Sequence, residues 1–287
     1  MGAYCFRIRL DRKKQTMINH LEDATFIIPI RLDSEERRKN VKISIDYLLK
    51  NLKTNLIVFE SDTHSKFGEL GISGNLLHEY WFEETKPETP FHKTRFLNEV
   101  VNKSETNVVV FYDADILLPI SSYVHAYNRI KNRESDFVFP YGWGNFQREI
   151  YAHHKDRIDG DTDLDDLSPD WYRDSMPSEY GHVLFLNRQS FIDGFMDNEA
   201  IVMGGPEDKE RIIRFKKLGY KVDWLHNSFV YHLEHPRQDY QSTSLSNETS
   251  KQNYIEYIKI CQMEKEEIEN YYKNQPYLKK YSCTSPI

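Results

Sequence analysis

Two aspartates, Asp113 and Asp115, flank Ala114 directly after the apolar run Asn107-Val-Val-Val-Phe-Tyr112. Carboxylates spaced i, i+2 lie on one side of an extended chain. Hard divalent cations such as Mg²⁺ or Mn²⁺ take oxygen ligands, commonly one or two carboxylates plus substrate phosphates. Asp113-Ala114-Asp115 therefore reads as a metal and phosphate centre, although a solvated turn after a strand would look the same. A second candidate is Tyr231-His232-Leu233-Glu234-His235. His232 and Glu234 share a face if the segment is extended, and His235 reaches that face only through a bend. An imidazole beside the two aspartates could complete a metal site and suits Mn²⁺ better than Mg²⁺. The spacing is not that of the helical zinc-protease motif.

The third candidate is Gly204-Gly205-Pro206-Glu207-Asp208. Pro206 opens a helix and puts Glu207 and Asp208 in its first turn, where acids favour the helix dipole. The chemical alternative is a general base aimed at a hydroxyl. The dipole lowers the pKa of such a base, so it would act only as the leaving group departs. Arg31, Lys93 and Arg95 are cations that could meet phosphates. Asp159-Gly160-Asp161-Thr162-Asp163 begins like a calcium loop, but Leu164 and Asp170 stand where that loop needs Gly and Glu. A mobile acidic loop near the active site fits it better. Trp143, Trp171 and Tyr172 suit either sugar stacking or core packing.

The elements that position these residues alternate. Thr25-Phe-Ile-Ile-Pro-Ile30 reads as a buried strand. Val41, Ile45, Leu48, Leu49 and Leu52 follow at helical spacing, and Asn55–Phe59 forms a second strand. This βαβ unit requires a parallel sheet. Asn107–Tyr112 is the clearest strand, so Asp113 and Asp115 fall at the sheet's carboxyl edge, where open α/β sheets bind ligands. A strand is expected near His78–Phe82 and helices over 94–101, 121–131 and 206–218. Short strands are expected at 137–139, 181–188, 222–225 and 229–233. Residues 143–180 read as irregular, and 1–22 as an arm or edge element. From 247 the pattern is helical to the end.

Composition narrows the class. With 287 residues, 39% of them hydrophobic and 14% aromatic, a sizeable core is available. A net charge of -7 argues against a general nucleic-acid binder. The three cysteines, Cys5, Cys261 and Cys283, form no CxxC pair and fit a reducing cytoplasm. There is no apolar signal-peptide core near the N-terminus, and no run approaches the ~18 apolar residues that span a bilayer. Tyr254, Ile258, Cys261, Ile268 and Tyr272 suggest a terminal helix packed on the main domain. A homodimer contact or a peripheral membrane contact through it stays open.

In this order the motifs resemble the GT-A glycosyltransferases. They are most similar to family 2 enzymes and to the galactosyltransferase-type C-terminal module of bacterial chondroitin-polymerase-like transferases. The matching text is Thr25–Arg31, Phe91–Asn98, Val109–Asp115, Gly204–Asp208 and Val230–His232. It spans roughly residues 24–240. The resemblance implies a Rossmann-like α/β fold with a mixed central sheet, a catalytic domain over 1–246 and a helical extension over 247–287. It further implies that Pro29, Arg31 and Glu60 line the nucleotide-base pocket, with Asp62 a looser match. Lys93, Arg95 and Asn98 would face the nucleotide or donor sugar. Asp113 would touch ribose or metal-bound water, and Asp115 and His232 would bind Mn²⁺ or Mg²⁺. Asp208 would be the catalytic base, with Glu207 gripping the acceptor. Met203-Gly204-Gly205-Pro206 departs from the usual Trp-Gly before the acidic pair, so the acceptor pocket is expected to differ. The implied activity is inverting transfer of a hexose or N-acetylhexosamine from a UDP-sugar to a glycan hydroxyl. Its setting would be bacterial surface polysaccharide synthesis at the inner face of the membrane. A sugar nucleotidyltransferase is disfavoured because Arg31-Leu-Asp-Ser-Glu-Glu36 has no glycine. A non-catalytic carbohydrate-binding module would need no metal-dependent nucleotide site.

Overall fold

The computed structural model describes residues 18–72, 77–177, 180–202, 205–236 and 247–282. Cys5 and Cys283, Met203 and Gly204, and most of the arm over 1–22 lie outside them.

Strand β1 (Asn19–Ile30) leads through Ser34, whose side chain caps helix α1 (Glu35–Asn51) by accepting from the Arg37 N–H. Strand β2 (Leu52–Asp62) then runs parallel to β1, pairing Phe26 with Leu56 and Ile30 with Glu60. Strand β3 (Glu79–Glu84) extends the same edge in parallel. Helix α2 (Lys93–Lys103) carries the chain back to strand β4 (Val108–Tyr112), which lies on the other side of β1. A strand covered on both faces must be apolar throughout, and β4 is buried along its whole length.

The chain then makes short strand β5 (Ile116–Leu117), helix α3 (Ile120–Lys131) and strand β6 (Phe137–Phe139). Strand β7 (Gln147–Ile150) and strand β8 (Tyr172–Asp174) fall in the segment read from sequence as irregular, which needs correcting there. Both are short and polar, so no apolar alternation marks them. Strand β9 (Val183–Asn187), helix α4 (Arg188–Asp193) and helix α5 (Glu207–Leu218) follow. Gly219, at φ 100°, closes α5 in the left-handed conformation that glycine adopts without strain. Strands β10 (Val222–Trp224) and β11 (Val230–Leu233) precede helices α6 (Glu248–Gln262), α7 (Lys265–Lys273) and α8 (Pro276–Ser282).

The seven-stranded sheet runs β10-β6-β9-β4-β1-β2-β3. It is mixed, because β9 is antiparallel to both β4 and β6. A second sheet, β5-β11-β7-β8, sits beyond the carboxyl end of β4. The C-terminal helices pack on the main domain. Tyr272 donates to Glu210 at 2.6 Å, and Lys217 reaches the carbonyls of Cys261 and Met263. Glu210 in turn holds Arg214, which is fully buried. No helix among the described residues is long and apolar enough to cross a membrane.

Candidate active site

Asp113 and Asp115 sit where β4 of the large sheet passes into β5 of the small one. β5 pairs antiparallel with β11, opposing Ile116 to His232, and the Leu233 N–H donates to the Asp115 carbonyl at 2.8 Å. This ladder brings residues 117 positions apart in sequence to one spot. Asp115 Oδ2 lies 3.0 Å from His235 Nε2 and 3.7 Å from His232 Nε2. The bend that the sequence demanded for His235 is present. Candidate ligand atoms of Asp115, His232 and His235 all lie within 4.8 Å of one another. Burial opposes charge on Asp115, but the two histidines outweigh it and hold the carboxyl well below its ordinary range. Burial also works against charge on His232, yet Asp115 and Glu149 raise it to about 10. One carboxylate and two imidazoles fit a divalent transition cation.

Asp113 is turned differently. Its N–H donates to the His182 carbonyl at 2.9 Å, and Lys93 Nζ donates to its Oδ1 at 2.7 Å. Lys93 opens α2. Burial disfavours its charge, but Asp113, Asp208 and Glu207 together raise its pKa, so it stays an ammonium. His182 (φ 58°) follows Gly181 (φ 97°), two left-handed residues in succession. Such strain at a non-glycine residue is typical of functional sites. His182 Nε2 pairs with Gln147 of β7, and burial pushes the imidazole pKa down.

A cavity of about 290 Å³ opens beside these groups. Of the residues singled out in the sequence, Pro29, Arg31, Lys93, Asp113, Ala114, Asp115, Glu207 and His232 line it. Arg37, Asn40, Phe91 and His182 also line it, and sequence reasoning did not single them out. Arg37 pairs with Asp33 at 3.2 Å, yet its Nη2 is buried without a hydrogen-bond partner. A buried unpaired donor facing a cavity is what an anionic ligand would satisfy. Arg37 lies in the first turn of α1, where no local sequence pattern marks it.

Four expected residues stand elsewhere. Glu60 is fully buried and accepts from Lys66 N and Phe67 N, at 3.0 and 3.2 Å, and from the Tyr80 hydroxyl. Asp62 accepts from Lys66 Nζ and Leu32 N. Both acids hold the turn after β2 and do not line the cavity. Arg95 makes two 2.7 Å bonds to Glu83. Asn98 brackets Asp197, donating to its carbonyl and accepting from its N–H. It thereby fixes the chain leading towards α5.

The two acids opening α5 differ. Glu207 is in the cavity wall, and burial together with the Asp208 charge pushes its pKa up to about 8. Its Oε2 accepts from Gly205 N at 2.9 Å. Asp208 lies in a narrow adjoining cleft with Gly181, His182 and Lys93. Burial disfavours its charge, but Lys93 and Arg211 prevail and lower its pKa. Arg211 contacts Asp208 Oδ1 at 2.6 Å, and a Cβ at Gly181 would sit 3.1 Å from Oδ2.

The remaining aromatic and acidic candidates divide. Trp171 stacks on His154 and Tyr172 packs on Arg148, whereas Trp143 is exposed. In the calcium-like run, Asp159 accepts from Asp161 N, Asp163 from Asp165 N, and Asp161 pairs with Lys50. Residues 237–246 lie outside the described residues.

The chain matches no protein-family model and no curated protein. Its architecture does match solved glycosyltransferases. TarS of S. aureus, residues 1–349 in complex with UDP-GlcNAc, aligns at TM-score 0.55 and 13% identity, covering 86% of this chain and 69% of that one. GalNAc-T7 with UDP, GalNAc and Mn²⁺ aligns at 0.55 and 14%, covering 93% and 54%. The mannosyltransferase PcManGT of Pyrobaculum calidifontis, with GDP-Man and Mn²⁺, aligns at 0.53 and 12%, covering 91% and 73%. At such identities the likeness concerns the fold, and that fold is the GT-A fold of nucleotide-sugar glycosyltransferases.

Proposed function

We propose that the protein is a divalent-metal-dependent glycosyltransferase. It moves a hexose or N-acetylhexosamine from a UDP-sugar to a glycan hydroxyl with inversion. The observation that carries this reading is the convergence of Asp115, His232 and His235, with Asp115 and His232 in the wall of a cavity that Lys93, Arg31 and Arg37 also line. The UDP-GlcNAc in the TarS complex and the UDP and Mn²⁺ in the GalNAc-T7 complex support it.

Asp115, His232 and His235 would hold the cation, preferably Mn²⁺. Its bound charge would stabilise the negative diphosphate as that group leaves. Arg37 and Lys93 would bind the diphosphate directly, with Arg31 beside them. Glu207, protonated near neutral pH, would donate a hydrogen bond to an acceptor oxygen. Asp208 would accept the hydroxyl proton as that oxygen bonds to the anomeric carbon and the bond to the diphosphate breaks. Its low proton affinity requires that acidity to develop late, as the diphosphate departs. The resemblance to surface-polysaccharide polymerases favours a growing glycan as acceptor.

The test is hydrolysis and transfer of a panel of UDP-sugars with Mn²⁺, Co²⁺, Mg²⁺ or EDTA. Two imidazoles favour the transition cations, so Mn²⁺ and Co²⁺ should support turnover well above Mg²⁺, and EDTA should abolish it. Undiminished turnover in EDTA would refute the reading.

A further inference from the structure

The second sheet does more than close one side of the cavity. Its register sets four residues in one row across the strands: Ile116 on β5, His232 on β11, Glu149 on β7 and Arg173 on β8. Glu149 Oε1 lies 3.5 Å from His232 Nδ1, on the far side of the ring from Asp115. An imidazole can offer a bare lone pair from only one nitrogen at a time, and the partner of the other nitrogen decides which. A carboxylate at Nδ1 keeps the ring proton there and leaves Nε2 for a cation beside Asp115.

Glu149 is itself fixed. Arg173 Nε donates to Glu149 Oε2 at 2.7 Å. Arg173 also donates to Glu234 Oε1 at 2.8 Å, and Ala152 N–H holds the other Glu234 oxygen at 2.8 Å. Glu234 lies in the three-residue step between His232 and His235. One guanidinium thus steadies both the acid behind His232 and the bend that returns His235 to Asp115.

We propose that Glu149 is a positioning residue for His232 at the divalent-cation site, with Arg173 locking Glu149 and Glu234 in place. The inference rests on the metal-binding reading above, and it concerns residues that reading does not use. Partners of this kind commonly contribute 10- to 100-fold in metal affinity.

The experiment is Mn²⁺ titration of the full chain without nucleotide, followed by the electron paramagnetic resonance signal of free Mn²⁺. Thermal melts establish that each variant is folded. Glu149→Ala should weaken Mn²⁺ binding about 10- to 100-fold. Glu149→Gln keeps an oxygen that can accept from Nδ1–H and should recover most of that loss. Arg173→Ala should fall between wild type and Glu149→Ala. Folded Glu149→Ala with wild-type Mn²⁺ affinity would overturn the inference while leaving the metal reading intact. Equal losses in Glu149→Gln and Glu149→Ala would also overturn it. Wild type that binds no Mn²⁺ would remove both.

Discussion

At the scale of single residues, Glu207 and Asp208 are adjacent in sequence and opposite in character. Asp208 faces Lys93 and Arg211 and is held ionised, whereas Glu207 is buried next to that charge and holds its proton to about 8. If Asp208 takes the acceptor proton, Asp208→Asn should lower kcat about 100- to 10,000-fold with the donor KM little changed, read by steady-state transfer kinetics. Glu207 yields a prediction on stability. Its folded pKa exceeds the unfolded value of 4.5, so the folded state binds the extra proton between the two. Its contribution is complete below about 4.5 and is lost as pH rises through about 8. Glu207→Gln should therefore flatten the fall in melting temperature over that window, and an unchanged slope would contradict the assignment. Part of the proposed ligand cluster was legible at this scale: Asp115 and His232 stood out by type and spacing, and the structure sets them together with His235. Glu149, His182 and Arg37 did not stand out. Their placement beside the cluster comes from a strand register, a left-handed backbone and a helix orientation, none of which leaves a local pattern.

At the scale of elements, long apolar segments were readable and short polar ones were not. β4 is buried throughout and β1 and β2 over their last seven residues, so these stretches carry the parallel-sheet signature. β7 and β8 have four and three residues, and their side chains serve the site. Glu60 and Asp62 were expected at the nucleotide because the resemblance implies it. The turn after β2 claims them first, since its N–H groups and Lys66 need acceptors. The terminal helices are joined to α5 through Tyr272, Glu210 and Arg214. Arg214 is fully buried, so Glu210→Ala would strand a charge in the core. A loss of about 3–5 kcal/mol in urea unfolding is expected. A loss near zero would mean that water or another group reaches Arg214.

At the scale of the molecule, the end of β1 with α1, α2 and the connections beside them walls much of the cavity, and β11 of the small sheet with the bend after it brings His232 and His235 to Asp115. Asp113-Ala114-Asp115 is the hinge between the two sheets, which is why two aspartates after a strand can be read as a site here and not in an ordinary turn. The central claim is that nucleotide and cation bind this cavity together. Isothermal titration of UDP into the full chain, with and without Mn²⁺, tests it most directly, with Asp115→Ala alongside. UDP should bind measurably in Mn²⁺, at least tenfold more weakly without it, and Asp115→Ala should abolish the difference. UDP affinity that is the same with and without Mn²⁺, or a Mn²⁺ effect that survives Asp115→Ala, would contradict the account.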